Sequence, residues 1–199
     1  MRPCQCVAKA DCMVVVTLPK RRNAPETRAR ILTAAQRIFS EMGYGRAGIR
    51  EIAAMAGVTS PMLLRYFGSK AGLFEAALAS AVRLDAVLQG SAEDFGRELG
   101  TILSDPGSDI TAMAMVVFSA TDKEAGPIAA RITEAQCIAP IAAWLGAPDA
   151  RARALEIVMI SSGLLIYLRQ LQLGETIEQE RERILLWFAG AVQAIVDRV

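Results

Sequence analysis

Gly57-Val58-Thr59-Ser60-Pro61-Met62-Leu63-Leu64-Arg65-Tyr66-Phe67-Gly68-Ser69-Lys70 is the stretch that decides the fold of this 199-residue chain. It follows Ile49-Arg50-Glu51-Ile52-Ala53-Ala54-Met55-Ala56, where Ile49, Ile52, Ala53 and Ala56 recur at helical spacing. Gly57 allows a tight corner and Val58 can plug a small core. Thr59 or Ser60 caps the next helix, and Pro61 is tolerated in its first turn. A short helix, a glycine corner and a second compact helix make a helix-turn-helix, which lays its second helix in the major groove of DNA. Double-stranded DNA is the partner this stretch predicts.

Working outward, Pro25 suits a helix start, Glu26 favours its first turn and Gly43 sits where a C-terminal glycine belongs. A first helix is therefore expected over 25–42, with Ile31, Ala35, Ile38, Phe39 and Met42 on one face. Ser69 should cap a fourth helix running from Lys70 to about Leu88. Breaks are expected at Gly90-Ser91, Asp105-Pro106-Gly107-Ser108, Gly126-Pro127, Gly146-Ala147-Pro148-Asp149 and Gly174. They leave helices near 92–104, 109–122, 127–145, 149–173 and 176–198. The expected fold class is all-α: a three-helix helix-turn-helix domain over 20–70 and a larger helical effector-binding and dimerisation domain over 71–199.

Leu155 to Leu171 is apolar nearly all round, so it must be buried on several sides. The last helix joins a charged start, Glu178 to Arg183, to Ile184, Leu185, Phe188, Val192 and Ile195. These two helices either close the monomer core or pack on their symmetry mates as a four-helix interface. A homodimer through the last two helices is the expectation, because DNA half-sites require a two-fold protein.

The net charge of +1 hides a polarity. Residues 20–75 carry ten Lys/Arg against four Glu, a balance of +6, and residues 76–199 carry ten against sixteen, a balance of −6. A polyanion would bind the basic third. The chain has no histidine, which removes Ser-His-Asp and Cys-His catalysis and histidine-ligated zinc. Cys4, Cys6 and Cys12 match no usual zinc spacing, and Cys137 reads as a small core residue. No metal, cofactor or enzymatic activity is expected, and the cysteines fit a reduced, cytoplasmic setting. Residues 1–19 read as a disordered leader, or as an upstream start before a native one near Met13; a metal- or redox-sensing cysteine cluster is the alternative. No membrane span is expected: the most apolar run, Ile157 to Leu168, is twelve residues long and interrupted by Ser161, Ser162 and Gly163.

Residues 26–78 resemble the TetR (tetracycline-repressor-like) family of bacterial transcription regulators. The resemblance rests on Met42-Gly43-Tyr44, Ile49 to Ala53, Ala56 to Thr59, Leu63 with Arg65-Tyr66-Phe67, and Ser69-Lys70 with Leu73. Trp144 to Leu171, with Asp149 to Leu155 and Gly163 to Arg169, looks like one of the family's effector-domain subgroups. The resemblance implies an N-terminal DNA-binding domain and a ligand-binding, dimerising domain in which a small molecule alters the spacing of two reading heads and releases DNA. Four positions depart from the pattern. Ala47 and Gly48 stand where Thr and Thr/Ser usually precede the second helix. Leu64 replaces a frequent aromatic, and Gly72 replaces an acidic residue, so the capping box of the fourth helix is missing.

Within the recognition helix Ser60, Met62 and Arg65 are best placed to reach base edges. Met62 can pack on a thymine methyl, and Arg65 either donates two hydrogen bonds to guanine or contacts a phosphate. Thr59 can cap its helix and touch phosphate together. Arg46 and the arm Lys20-Arg21-Arg22 add electrostatic affinity, the arm either from the minor groove or merely as a solvated run. Tyr66 and Lys70 resemble the family's phosphate-clamping pair, Lys70 standing at a helix N-terminus that itself attracts anions. Met113, Met115, Phe118, Trp144, Met159 and Tyr167 supply adaptable apolar surface for an effector, or plain core. With Gln136, Ser162 and Tyr167 as the few polar candidates, the effector expected is apolar or aromatic. The leading expectation is a repressor; an activator, or a ligand-binding module with a weakened DNA head, are the alternatives.

Overall fold

A computed structural model of the protein describes residues 24–198 apart from 108, 110, 172 and 174. The expected leader and the Lys20-Arg21-Arg22 arm lie outside the described residues. Those residues form helices and turns with no strand, so the chain is all-α as its periodicity predicts. No described helix is long and apolar enough to cross a membrane.

The N-terminal part follows the punctuation in the sequence closely. Helix α1 spans Ala24–Arg46 and is interrupted at Gly43, whose φ of +74° is open to glycine and strained for other residues. Helix α2 (Ile49–Met55) and helix α3 (Ser60–Phe67) are joined through Gly57 at φ +65°. The Thr59 hydroxyl accepts the Met62 N–H at 3.4 Å, capping α3. Helix α4 (Lys70–Ala81) begins at Ser69, whose hydroxyl accepts the Gly72 N–H at 3.0 Å. It stops seven residues before the expected end at Leu88, because Val82 turns extended and Arg83 takes over the terminal carbonyls, donating to Ser80 O at 2.6 Å. A short α5 (Asp85–Leu88) follows.

The C-terminal part holds a 3₁₀ turn (Ala92–Asp94), α6 (Phe95–Ser104), α7 (Thr111–Ser119) and α8 (Ala125–Thr133). The break expected at Gly126-Pro127 falls earlier, at 120–124. Asp122 Oδ1 accepts both the Glu124 and Ala125 N–H groups at 2.9 Å, so α8 starts ahead of Pro127, whose missing N–H costs nothing in a first turn. These two bonds, Ala125 first, hold the Asp122 carboxyl below its usual range. A π-helical turn (Glu134–Ile138) then leads into α9 (Ala139–Leu145). Pro140 explains it: without an N–H it cannot continue the ladder to Gln136, and the helix re-spaces there. Helix α10 (Ala150–Leu165) runs into a second π-helical turn (Ile166–Gln170), and α11 (Glu175–Val196) is the last helix.

Two apolar clusters hold these helices. The first packs Ile31 and Phe39 of α1, Ile52 of α2, Leu63 of α3 and Phe74 of α4, each fully buried, and continues into Met115 of α7 and Ala125 of α8. Phe39, Tyr44 and Phe74 meet ring to ring at 5.2–5.8 Å. The second cluster joins Phe95 and Leu99 of α6, Ile141 of α9, Ile157 of α10 and Phe188 of α11. Helix α6 lies so close to α11 that a Cβ on Gly96 would stand 2.2 Å from the Ala189 carbonyl oxygen. Arg153 of α10 is buried, 3% exposed, with its guanidinium spent on backbone carbonyls at the ends of α9 and α11.

Gly72 proves to be more than a lost acid. A Cβ there would lie 2.3 Å from the Phe67 carbonyl oxygen, so the α3–α4 corner closes only around glycine. Restoring the family's acidic residue with Gly72→Glu is expected to destabilise the protein by about 1–3 kcal/mol, as overpacking against backbone does. A urea melt reads this; equal or greater stability of the variant would show that the corner yields.

Candidate functional site

Two places on this scaffold present chemistry. The first is the outer face of α3. Leu63 is fully buried against Ile52, which turns Pro61, Leu64 and Arg65 outward. Thr59, Met62, Arg65 and Tyr66 line one surface groove of about 670 Å³, with Ala24 and Thr27 of α1 as its far wall. Four of the seven expected DNA-contacting residues thus come together. Ser60 is half-buried at the start of the same helix. Arg46 is exposed at the end of α1, and Lys70 is the first residue of α4, both outside the groove lining. The sequence reading missed Thr27 because it sits at the buried edge of an otherwise polar first turn.

Lys70 is held in place from below. Its Nζ lies 4.5 Å from the centre of the Tyr44 ring, and the Tyr44 hydroxyl donates to Glu124 Oε2 at 2.6 Å. Burial, and then that bond to the carboxylate, raises the Tyr44 pKa well above the usual phenol range. The Arg28 guanidinium of α1 stands 5.3 Å from the ring centre of Phe67, the last residue of α3. Phe118 of α7 packs its Cβ about 3.4 Å from where a Gly43 Cβ would be. The head therefore touches the α7–α8 corner through Tyr44 and Gly43, with Lys70 seated on the Tyr44 ring.

The second place is a cavity of about 180 Å³ among α4, α6, α7, the first π-helical turn and α10. Leu78, Leu99, Met113, Val116 and Ile157 supply its apolar wall. Thr133, Cys137, Ser161 and Ser162 are the uncharged polar side chains on it, and Arg83 and Asp109, both exposed, complete the lining. Burial pushes the Cys137 thiol up to about 11, so it stays neutral at pH 7. The Ser162 hydroxyl donates to Val158 O at 2.7 Å. Ser161, 6% exposed, has a hydroxyl with no hydrogen-bond partner among the described residues.

Of the residues expected to meet an effector, Met113 lines this cavity. Met115 is fully buried in the first cluster, and Phe118 lies against Gly43. Trp144 packs at a tilt of 31° on Phe95, a cavity residue, at 4.6 Å between ring centres. Met159 and Tyr167 face outward, 63% and 57% exposed. With Leu186 and Trp187 of α11, 69% and 64% exposed, they leave uncovered apolar surface on the last two helices. Sequence reading passed over Ser161 as no more than an interruption of an apolar run; two adjacent hydroxyls inside such a run were the available signal.

Two families of known proteins match the chain. Residues 31–77 match bacterial regulatory proteins of the tetR family, and residues 93–196 match the tetracyclin repressor-like C-terminal domain. The HTH-type transcriptional activator FasR of Mycolicibacterium smegmatis is 45% identical over 53 residues, 27% of this chain and 24% of that protein. The HTH-type transcriptional repressor BdcR of Escherichia coli is 36% identical over 67 residues, 34% of this chain and 32% of that protein. The chain thus spans about a quarter to a third of the length of these relatives. Over the whole fold, a TetR-family structure from Rhodococcus sp. superposes with a TM-score of 0.68 at 23% identity, covering 87% of this chain and all of that one.

Proposed function

The chain belongs to the tetR family of bacterial regulatory proteins, and from that membership we propose that it is a homodimeric, ligand-responsive DNA-binding regulator of transcription. Its DNA head is residues 20–70 and its effector and dimer part is residues 71–199. It acts as a repressor that leaves a palindromic operator when a small apolar or aromatic effector fills the cavity. The observation that carries this reading is that α4 and α7 each serve both places. Leu78 and Ala81 of α4 line the cavity while Phe74 of the same helix is in the head's core. Met113 and Val116 of α7 line the cavity while Met115 and Phe118 pack under the head. A molecule that spreads the cavity wall must shift helices to which the head is fastened, and close-packed interiors transmit such shifts.

The exposed apolar surface of α10 and α11 supports a dimer through those helices, since monomers rarely leave such patches open. The reading of a weakened DNA head rests on the departures at Gly48 and Leu64; Gly48 leaves α2 without a side-chain cap, whereas the formed caps of α3 and α4 favour an intact head. Activation is the second reading, favoured by the name of FasR. The test is selection from a random DNA duplex pool by the purified protein. A palindrome with half-sites about one helical turn apart supports the proposal, and a folded dimer that enriches nothing sinks it. Adding effector candidates to the bound complex then reads release, and transcription with and without the protein reads its direction.

Within that site Arg65 takes a base edge and Lys70 a phosphate. Arg65→Ala is expected to weaken operator binding by about 1–3 kcal/mol and to relax one base position. Lys70→Ala should weaken all sequences alike and flatten the salt dependence. Both are read by binding titrations at several salt concentrations, and wild-type behaviour of the pair would refute the assignment.

A further inference from the structure

We propose that Ser161 is the specificity-determining anchor of the cavity, and that the cavity takes a neutral, one-ring-sized molecule with an apolar body and a single hydroxyl. This rests on the effector reading of the cavity and narrows it to a ligand class. Size comes first. The cavity measures about 180 Å³, and an apolar protein cavity of roughly 150 Å³ accepts benzene, so one ring with a short substituent fills it.

Charge comes next. The uncharged polar side chains on the wall are Thr133, Cys137 (held as the thiol), Ser161 and Ser162, and of these Ser161 alone is buried while the others are half-buried. The charged residues on the lining, Arg83 and Asp109, are exposed and of opposite sign. An ionised ligand would therefore leave its hydration without a fixed counter-charge, which is heavily unfavourable.

The remaining polarity is directional. The Ser162 hydroxyl is engaged by Val158 O and Met113 Sδ, whereas Ser161 has both its proton and its lone pairs unspent behind 94% burial. A buried hydroxyl left unpaired destabilises the protein that carries it. A ligand hydroxyl can accept from Ser161 or donate to it, and a ligand carbonyl can only accept, so the hydroxyl satisfies the site more fully. Without such an anchor an apolar cavity would prefer toluene to para-cresol, because the phenol must surrender its water.

The test is calorimetric titration of the full-length wild type and Ser161→Ala with para-cresol, toluene and benzoate at neutral pH. Wild type should bind para-cresol about tenfold or more tightly than toluene, and benzoate should not bind measurably. Ser161→Ala should lose that preference by losing para-cresol affinity while toluene still binds. The ligand-free variant should melt at or above wild type; a lower melting temperature would make the hydroxyl structural and overturn the assignment. The proposal is equally overturned if the preference survives in Ser161→Ala, if benzoate binds like para-cresol, or if no probe binds. Ser161-dependent binding of para-cresol that leaves an operator duplex bound would uphold the anchor and refute the effector reading instead.

Discussion

Arg153→Ala is expected to destabilise the protein by about 3–5 kcal/mol, among the largest effects of any single substitution in the described fold. The guanidinium donates from Nε to Ile195 O at 2.9 Å and from Nη2 to Val196 O at 2.6 Å, where α11 ends. Its Nη1 reaches Pro148 O at 3.2 Å and Gly146 O at 3.4 Å, just past α9. The last carbonyls of a helix have no partner within it, and at 3% exposure of Arg153 the chain leaves water little access to replace one. The helix dipole adds to the attraction, since a cation at a C-terminus is favourable. Alanine would strip charge-assisted bonds from two helix ends together and open a cavity between α10 and α11. Lysine restores the charge but not the planar fork, so Arg153→Lys should recover only part of the loss. Chemical denaturation at one fixed protein concentration reads both variants, because the stability of the proposed dimer would depend on concentration. A loss under about 1 kcal/mol for alanine would mean that the helix ends find other partners.

How far the sequence told this in advance depends on whether the deciding chemistry is local. The interruption of α1 at Gly43, the Thr59 and Ser69 caps and the breaks near Gly90, Pro106 and Gly146 were all legible, because each rests on residues within one turn. The early end of α4 was not: Val82 and Arg83 read as ordinary helix, and only the folded chain turns the arginine back onto Ser80 O. The start of α8 was set by Asp122 rather than by the more conspicuous Gly126-Pro127. Faces failed where periodicity vanished. Because α10 is apolar nearly all round, nothing in its sequence separates Met159, which faces out, from Ile157, which lines the cavity. In the N-terminal helices the opposite held: the Thr59 cap and the glycine corner placed α3, its buried Leu63 fixed the outward face, and Thr59, Met62, Arg65 and Tyr66 fell into one groove.

Close helix approach is another thing that sequence hides, and Gly96 makes it measurable. Gly96→Ala is expected to destabilise the protein by about 2–3 kcal/mol, and Gly96→Val by more. In an open helix the same change to alanine would stabilise by about 1 kcal/mol, so the sign alone discriminates. The reason for reversal is what the new Cβ meets: Ala189 O at 2.2 Å, Gln193 N at 3.0 Å and Ala189 C at 3.1 Å. All three are backbone atoms of α11, which cannot rotate away as a side chain can. Relief requires α6 and α11 to move apart, and that motion breaks what the glycine permits. The Gly96 N–H donates to Gln193 Oε1 at 3.1 Å, and the same amide's Nε2 donates to Ala92 O at 2.8 Å. One turn on, Gly100 faces the Phe188 ring so closely that an added Cβ would stand 3.4 Å from it, and this packing would open as well. Overpacking of 1–3 kcal/mol, added to the loss of a part-buried hydrogen bond, outweighs the helix-propensity gain. The variant's denaturation midpoint decides the matter: stability at or above wild type would show that α6 and α11 are not in backbone contact at Gly96.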